Sequence, residues 1–318
     1  MSRKPSGMIE PGDGAKSPAG KAEVKKAEAS LALLGVACGV GAALGWALGF
    51  AATRHGLKAG LTPVDLLMHR FFWSGLAFLP FVLRSGVGNL CGIGWGRGLA
   101  LMVLGGPVFS LISYAGFLFV PLGHGSLIQP SCATLGGLFF AAALLGERIS
   151  PSRFVGAVVI VGGLAVIGGE SIRHIGLSGV QGDLIFVLTG FMFAGFGTLL
   201  RYWRVSGLSA TAVINVLSLL LVPVYVATGG LDRLAAAGLG ENVLQAVGQG
   251  MLAGPAALFL FAFSVQVLGA GRAAVFPAIV PALTLLVGWL LLGEPPTALQ
   301  AAGLATVLLG FYLAQRQR

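Results

Sequence analysis

One arginine of this sequence lies inside a long apolar segment, where a charged side chain is costly. Arg70 is about eight residues into the segment 62–83 and so roughly 12 Å deep at the rise of an α-helix. A guanidinium at that depth is stabilised either by an anionic group, such as a carboxylate, or by backbone carbonyls of neighbouring helices. The first alternative is a binding site and the second is a structural tie. The residue type leaves both open.

Further residues inside the apolar segments carry polar or aromatic chemistry. His124 and Gln129 lie at the start of a segment that contains Pro130, and a proline frees a backbone carbonyl within a helix. Aromatic side chains line cavities or pack helices together, and Asn or Gln contacts a ligand or bridges helices. The candidate substrate-binding residues are Trp46, Arg70, Tyr114, His124, Gln129, Asn215 and Gln266.

The spacing of the reactive residue types argues against several other functions. Cys38, Cys91 and Cys132 are far apart without a CxxC pair, and no second histidine is at metal-ligand spacing from His124. Ser, His and Asp form no recognisable nucleophile–base group, and no basic run is interleaved with aromatic residues. The Gly-rich segment 92–98 lacks the GxGxxG order. We expect no enzyme activity, no metal, no cofactor and no nucleic-acid partner.

The elements that hold these residues follow from the composition. Of the 318 residues, 56% are hydrophobic and 10% are charged, whereas about 25% are charged in a typical soluble domain. One water-soluble core of this length cannot bury that much apolar surface, so a soluble enzyme and a disordered chain are excluded. A bilayer core needs about 20 apolar residues in a helix. Ten segments qualify: 31–53, 62–83, 98–120, 123–145, 152–169, 182–200, 207–228, 243–267, 271–292 and 296–314. The sequence predicts an all-α membrane protein with ten transmembrane helices in a lipid bilayer.

Basic residues are distributed unequally between the two sides that these ten spans define. With the N-terminus inside, fifteen Lys and Arg fall in the N-terminal tail and the inner loops, and four fall in the outer loops. Basic residues collect in cytoplasmic loops, so both termini are expected in the cytoplasm. Residues 1–30 are polar and contain Pro5, Pro11 and Pro18, which predicts a disordered cytoplasmic tail.

The second half of the chain repeats the first at an offset of 147 residues. The matches at this offset are Leu144–Glu147 with Leu291–Glu294, Pro130 with Pro277, Gly156 with Gly303, and Gly163 with Gly310. At an offset of 148, Gly106-Pro107 matches Gly254-Pro255. The repeats are expected at 31–170 and 179–316, with five spans each. Because five is odd, the second repeat must be inverted in the membrane, and inverted repeats are the usual basis of alternating access.

With these features the chain resembles the drug/metabolite transporter superfamily, specifically the EamA-type ten-helix transporters. The resemblance is carried by Pro130 to Gly163, by the copy from Pro277 to Gly310, by Gly182-Asp183-Leu184 and by Arg70. It implies transport of a small-molecule substrate, a metabolite such as an amino acid, across the bacterial cytoplasmic (inner) membrane, with export as the expected direction. We expect a monomer or homodimer. A non-transporting membrane scaffold or sensor is the alternative.

The prolines, the resemblance and the glycines each lead to a structural expectation. Spans four and nine are expected to bend near Pro130 and near Pro277 and Pro281, because a proline interrupts the hydrogen-bond ladder of a helix. The resemblance implies a central cavity lined by spans one to four and six to nine, with spans five and ten at the periphery. The small residues of Gly41-x-x-x-Gly45-x-x-x-Gly49 in span one should let another helix approach closely.

Overall fold

Ten helical spans account for most of the part of the chain that the structure describes. The computed structural model describes residues 18–315, in which no β-strand occurs. The bounds of the spans are α1 Pro18–Lys58, α2 Pro63–Ser85, α3 Trp95–Gly105 continued by Pro107–Gly116, α4 Leu122–Leu145, α5 Pro151–Glu170, α6 Leu177–Tyr202, α7 Gly207–Ser218 continued by Val222–Ala227, α8 Gly230–Gln245 continued by Ala246–Ala256 and Ala257–Leu268, α9 Val275–Leu292 and α10 Ala298–Gln315. All ten are long and apolar enough to cross a membrane. The predicted all-α fold with ten transmembrane helices is therefore confirmed.

The first helix begins earlier than the sequence suggested. It starts at Pro18, so residues 18–30, which were expected to be disordered, are helical. Residues 1–17 of the predicted tail lie outside the described residues. A proline fits the first turn of a helix because its missing N–H needs no partner there. Pro18 therefore starts the helix instead of breaking it.

The repeated Leu-Leu-Gly-Glu motif marks two equivalent helix ends. Gly146 and Gly293 end α4 and α9 with φ of 67° and 64°, a left-handed conformation that glycine adopts without a Cβ clash. The amide of the next glutamate bonds back into the helix at 3.1 Å in both copies. The motif therefore places Glu147 and Glu294 just beyond equivalent ends.

The contact between α5 and α10 shows how the two halves are related. A Cβ atom on Gly156 would lie 2.5 Å from the amide nitrogen of Ala314, and one on Gly163 would lie 3.1 Å from the carbonyl oxygen of Gly303. Residue numbers rise along α5 while they fall along α10, so these two equivalent helices are antiparallel. The halves are inverted copies, as the odd number of spans predicts.

The remaining spans pair across the two halves according to the same symmetry. α1 packs against α8 and α9, its counterpart α6 packs against α3 and α4, and α2 packs against its own counterpart α7. The glycines of α1 make the contact with α8, where a Cβ atom on Gly45 would lie 2.9 Å from the carbonyl oxygen of Leu252. The close approach expected from these small residues is confirmed.

The helical conformation continues through the prolines near which bends are predicted, and the interruptions of the helices lie elsewhere. α4 is helical through Pro130, and α9 is helical through Pro277 and Pro281. α3 and α8 are interrupted instead, at the two Gly-Pro pairs that match in sequence. Gly106 has φ −111° and ψ −140°, and Gly254 has φ −92° and ψ −110°. A residue that precedes proline is disfavoured in the α region, and glycine tolerates the alternatives.

Candidate functional site

Side chains of α2 bond to backbone carbonyls near the interruption of α8. Pro255 has no N–H, so a carbonyl about one turn earlier loses its helical donor. Arg70 Nη1 donates to the carbonyl of Gln249 at 3.1 Å, and Ser74 Oγ donates to that of Gly250 at 2.7 Å. Of the two alternatives for Arg70, the tie to a backbone carbonyl is therefore present.

Arg70 nevertheless keeps donors that this tie does not use. A guanidinium carries five N–H groups, and within residues 18–315 no carboxylate forms an ion pair with Arg70. The hydroxyl of Tyr114 donates to the side-chain oxygen of Gln249 at 3.2 Å. The amide of Gln249 donates to the carbonyl of Gly49 at 3.1 Å and to Thr53 Oγ1. Gln249 is 2% exposed and joins α1, α2, α3 and α8.

A second polar group joins α3, α4 and α6. The side-chain amide of Gln129 donates to Ser113 Oγ at 3.0 Å and to Thr189 Oγ1 at 3.1 Å. Ser113 precedes Tyr114 on α3, so one helix contacts both polar groups. Together they form a polar belt across both halves, which consists of Arg70, Ser113, Tyr114, Gln129, Thr189 and Gln249.

The other four residues predicted for the site lie elsewhere. Trp46 packs on an aromatic ring of α8, with the ring centroids 5.4 Å apart. Asn215 donates to a carbonyl of its own helix at 2.7 Å. Gln266 is exposed and lines a groove of about 590 Å³ between α1 and α8. His124 belongs to a separate cluster at the end of α4. The structure thus brings Arg70 and Tyr114 together, links them to Gln129 through α3, and does not gather all seven residues.

Sequence reasoning missed the residue that connects Arg70 with Tyr114. Gln249 is a polar residue in an apolar span, and Gln266 became a candidate for this same reason. Gln249 also lies between two glycines in the sequence. The hydroxyls of Ser113 and Thr189 gave no such signal, because either residue is common in a transmembrane helix without a ligand.

Glu294 ties together one end of the bundle, which we name the outer end after the predicted orientation. Its carboxylate contacts Arg54 Nε at 3.0 Å and Lys58 Nζ at 2.6 Å, and it accepts the amide N–H of Leu122 at 3.2 Å. Arg54 also donates to the carbonyl of Phe117 at 2.6 Å. This group, the outer latch, connects α1 to the ends of α3, α4 and α9.

The outer latch favours the ionised form of its carboxylate. Burial raises the pKa of Glu294, but the hydrogen bond from Lys58, the positive charge of Arg54 and the Leu122 amide lower it by more. The net result is a pKa below its ordinary value of 4.5.

The inner end carries an equivalent ion pair. Glu147 pairs with Arg201, and Arg153 approaches it at 3.9 Å. Arg54 and Arg201 are separated by the same offset of 147 as Glu294 and Glu147. In each latch an arginine of one half therefore meets a glutamate of the other. The inner latch is more open to solvent, because Arg201 and Glu147 are 57% and 34% exposed whereas the outer pair is 19% exposed on both sides.

A cluster at the outer ends of α4, α5, α6 and α10 surrounds His124. His124 Nδ1 is 2.9 Å from Asp183 Oδ1, and Ser171 Oγ donates to the other oxygen of the same carboxylate. His124 Nε2 is 3.6 Å from Glu170 Oε2. The side-chain amide of Gln300 donates to Glu170 Oε1 at 3.3 Å. Gln300 shows that span ten, expected at the periphery, contributes to a buried polar group.

This cluster brings together a serine, a histidine and an aspartate, a group that the sequence had not revealed. A catalytic triad needs the serine on one imidazole nitrogen and the carboxylate on the other. Ser171 and Asp183 both contact Nδ1 of His124, and Nε2 faces Glu170. The hydroxyl of Ser171 donates its proton to Asp183 and not to the imidazole, and Ser171 is 0% exposed, so the cluster does not present an activated serine to a solute. Within residues 18–315, no three His, Cys, Asp or Glu side chains are grouped to hold a metal ion.

Two halves inverted in the membrane, joined by a polar belt and by one latch at each end, define a membrane transporter of the inverted-repeat class. The EamA-like transporter family matches residues 33–169 and 180–315. The chain belongs to this family.

Two further comparisons agree with this assignment. A relative from Archaeoglobus fulgidus, described as an uncharacterized transporter, is 27% identical over 281 residues, which are 86% of this chain and 95% of the relative. A solved crystal structure shares the fold with a TM-score of 0.56 and 19% identity, over 90% of this chain and 95% of that one. The family and the relative point to transport rather than to enzymatic chemistry.

Proposed function

We propose that the protein exports a small zwitterionic metabolite, such as an amino acid, from the cytoplasm by alternating access. The observation that carries this proposal is the guanidinium of Arg70, which is held in the bundle by one carbonyl and has no ion-pair partner among the described residues. A carboxylate is the ligand that matches the remaining N–H groups, since charge-assisted bonds to a guanidinium are short and strong.

The rest of the polar belt fits the other end of a zwitterion. Tyr114 and Gln249 supply hydroxyl and amide oxygens next to Arg70, which are acceptors for an ammonium group. The belt contains no carboxylate, so a cation without its own anionic group would lack a counter-charge. A small amphipathic solute therefore fits better than a cationic drug.

The two latches give alternating access a physical basis. They occupy equivalent positions at opposite ends, and each joins the two halves. A transporter with inverted repeats opens one end while the other stays closed. In this conformation Glu294 has three donors at the outer end, whereas Glu147 has two basic partners that are more exposed. Breaking the contacts of the inner latch therefore costs less free energy than breaking those of the outer latch. The inner end opens more easily, which favours loading from the cytoplasm and hence export.

The substrate class is tested with purified protein in liposomes and each of the twenty amino acids as labelled solute. We expect exchange of at least one of them. Arg70→Gln should lower that exchange by about tenfold or more, since a hydrogen bond to a charged group contributes about 1.5–3 kcal/mol. Arg84→Gln, the same change at an exposed position of α2, is the control and should exchange at the wild-type rate.

Three outcomes contradict parts of this proposal. An Arg70→Gln protein that folds and exchanges at the wild-type rate removes Arg70 from the site. If Arg70→Gln does not fold, Arg70→Lys keeps the charge and tests the bidentate geometry. A wild-type protein that exchanges no amino acid contradicts the substrate class, and a protein that moves no solute of any class leaves the scaffold or sensor alternative.

The latches are tested by cysteine labelling from the outside. Ser113→Cys places a near-isosteric thiol in the polar belt, in a background without Cys38, Cys91 and Cys132. Glu294→Gln should raise the rate at which a membrane-impermeant maleimide labels this thiol, because the outer latch loses its charge. Glu147→Gln should lower that rate by favouring the conformation open to the cytoplasm. Equal rates in all three proteins would contradict the assignment of the latches to gating.

A further inference from the structure

His124 is a buried histidine that the proposed substrate site does not use. Its side chain is 0% exposed, and it lies between the carboxylates of Asp183 and Glu170. Glu170 is 5% exposed. Buried carboxylates are rare unless they are paired, and buried ionisable groups in a membrane span are by default functional candidates.

The acceptor atoms around His124 need one more proton than a neutral imidazole supplies. A neutral imidazole has one N–H and one bare nitrogen. When the N–H is at Nδ1 it donates to Asp183 at 2.9 Å, and the bare Nε2 then faces Glu170 Oε2 at 3.6 Å. Both of these facing atoms are buried and have no hydrogen-bond partner. Two acceptors thus face each other without a proton between them, which is an unfavourable arrangement for buried polar atoms.

We propose that the His124–Glu170 pair is a proton-binding site, and that the proton it takes up from the outer side is the coupling ion for the transport proposed above. One added proton gives Nε2 or Oε2 a hydrogen to donate and converts the repulsive pair into a charge-assisted hydrogen bond. The proton comes from solvent and no other bond changes. The combined charge of His124, Glu170 and Asp183 rises from −2 to −1.

A cavity gives this site a route to the outer solvent. It has a volume of about 350 Å³, and its lining includes Glu170, Gln300, Arg54 and Glu294. A proton that enters there meets the carboxylate of Glu170 directly. The same space is bordered by Arg54, Leu122 and Glu294 of the outer latch.

The position of the site connects the proton to the motion of the two halves. His124 and Glu170 belong to the first half, and Asp183 and Gln300 belong to the second. Alternating access moves the halves relative to each other, so it must strain or release the contacts of this cluster. A change in the protonation of the pair therefore changes the relative free energies of the inward-open and outward-open states.

Few other charged groups face the pair in the described part of the chain. α6 contributes Asp183, α1 contributes Arg54, and the connection between α9 and α10 contributes Glu294. α10 contributes the neutral Gln300. Arg173 and His174 lie in the π-helical segment Ser171–Ile175 that follows α5, and both are exposed and not part of the cluster.

The proton site is tested without any substrate by nitrogen NMR of histidine-labelled protein in lipid nanodiscs. The chain has four histidines, and His124→Asn identifies the signal of His124. We expect the His124 Nε2 signal to differ between neutral and acidic solution, because the added proton changes the bonding of this nitrogen. The same signal in both solutions would overturn the proton site.

A conservative variant and a matched control make the readout specific. Glu170→Gln supplies an uncharged N–H donor to Nε2, so the transition of His124 should shift or disappear. Glu241→Gln changes the His55–Glu241 pair, which is 3.1 Å long at the same end of the bundle. It should leave the His124 transition where it is, and an equal shift in both variants would contradict the pairing with Glu170.

Coupling is tested in liposomes with the amino acid that exchanges best at equal pH. A gradient of one pH unit, coupled as one proton against one solute, should sustain about tenfold accumulation on the acidic side. Glu170→Gln should keep the exchange at equal pH but lose this accumulation. If the wild type exchanges solute and accumulates none, the coupling role is overturned. If it exchanges no solute, the proposed function fails, and NMR still decides the proton site.

Discussion

At the scale of single residues, Glu147 and Glu294 have the same sequence motif but different surroundings. Both follow a glycine that ends a helix, and both meet an arginine of the other half. Only Glu294 also receives a lysine and a backbone N–H, and its side chain is less exposed. The difference arises because the opposite half presents α1 and the start of α4 to Glu294, and these elements supply more donors.

We predict that the outer latch stabilises the protein in a pH-dependent manner. The pKa of Glu294 is lowered from 4.5 in the folded protein, so its contribution is complete above this ordinary value and is lost as the pH falls through the folded pKa. Glu294→Gln should cost roughly 1–3 kcal/mol at pH 7, since charged donors lose their partner. Thermal unfolding in detergent should show this difference at pH 7 and a smaller difference in acid.

The control for this prediction is Glu147→Gln at the equivalent position of the inner end. Its ion pair is exposed, so its midpoint of unfolding should lie closer to that of the wild type. If the two variants lose the same stability, the donors around Glu294 do not contribute as we infer.

At the scale of elements, glycines allow the backbones of helices to touch. The repeat glycines of α5 and α10 are the closest example, because Gly156 and Gly310 each approach a backbone atom of the other helix. A membrane lacks the hydrophobic force that presses helices together in water, so close packing has to supply the attraction. The same glycines that revealed the internal repeat therefore allow close contact between the two halves.

We predict that Gly156→Ala disrupts this contact and Gly162→Ala does not. A Cβ atom at 156 would lie 2.5 Å from backbone that cannot move aside, whereas one at 162 has no neighbour within 4 Å. Gly156→Ala should cost about 1–3 kcal/mol by overpacking, and Gly162→Ala should be neutral or gain up to about 1 kcal/mol of helix propensity. The midpoints of thermal aggregation measure both, and equal midpoints would contradict backbone contact between α5 and α10.

At the scale of the whole molecule, the inverted halves require that the equivalent latches lie on opposite sides of the membrane. The distribution of Lys and Arg predicts that Glu147 lies on the cytoplasmic side and Glu294 on the outer side. This assignment sets the direction in which solute and proton would move, so it bears on the export and the coupling that we propose.

We predict that Ala59→Cys is labelled in intact cells by a membrane-impermeant maleimide and Ser85→Cys is not. Both positions are exposed: Ala59 follows the outer end of α1, and Ser85 is the last residue of α2, at its inner end. The native cysteines must first be replaced, and permeabilised cells serve as the control, in which both variants should be labelled. Labelling of Ser85→Cys alone in intact cells would reverse the orientation and with it the proposed direction of transport.

The sequence by itself determined the number of spans, their order, the internal repeat and its inversion. These properties depend on local features, namely the length of apolar segments, the glycines at helix ends and the odd number of spans in each half. The sequence also singled out Arg70 and Tyr114, which both contact Gln249 in the structure, because a polar group in an apolar span seldom faces lipid.

Only the tertiary structure decided which polar residues meet. Arg70 bonds to a carbonyl 179 residues away, Arg54 pairs with a glutamate 240 residues away, and His124 reaches an aspartate on another span. Such contacts depend on the rotation of each helix about its axis and on its neighbours in the bundle. Gln266 and Gln249 illustrate this, since both are glutamines on α8, and Gln266 is exposed while Gln249 is buried in the polar belt. Their spacing along one helix does not reveal which face the other nine spans cover.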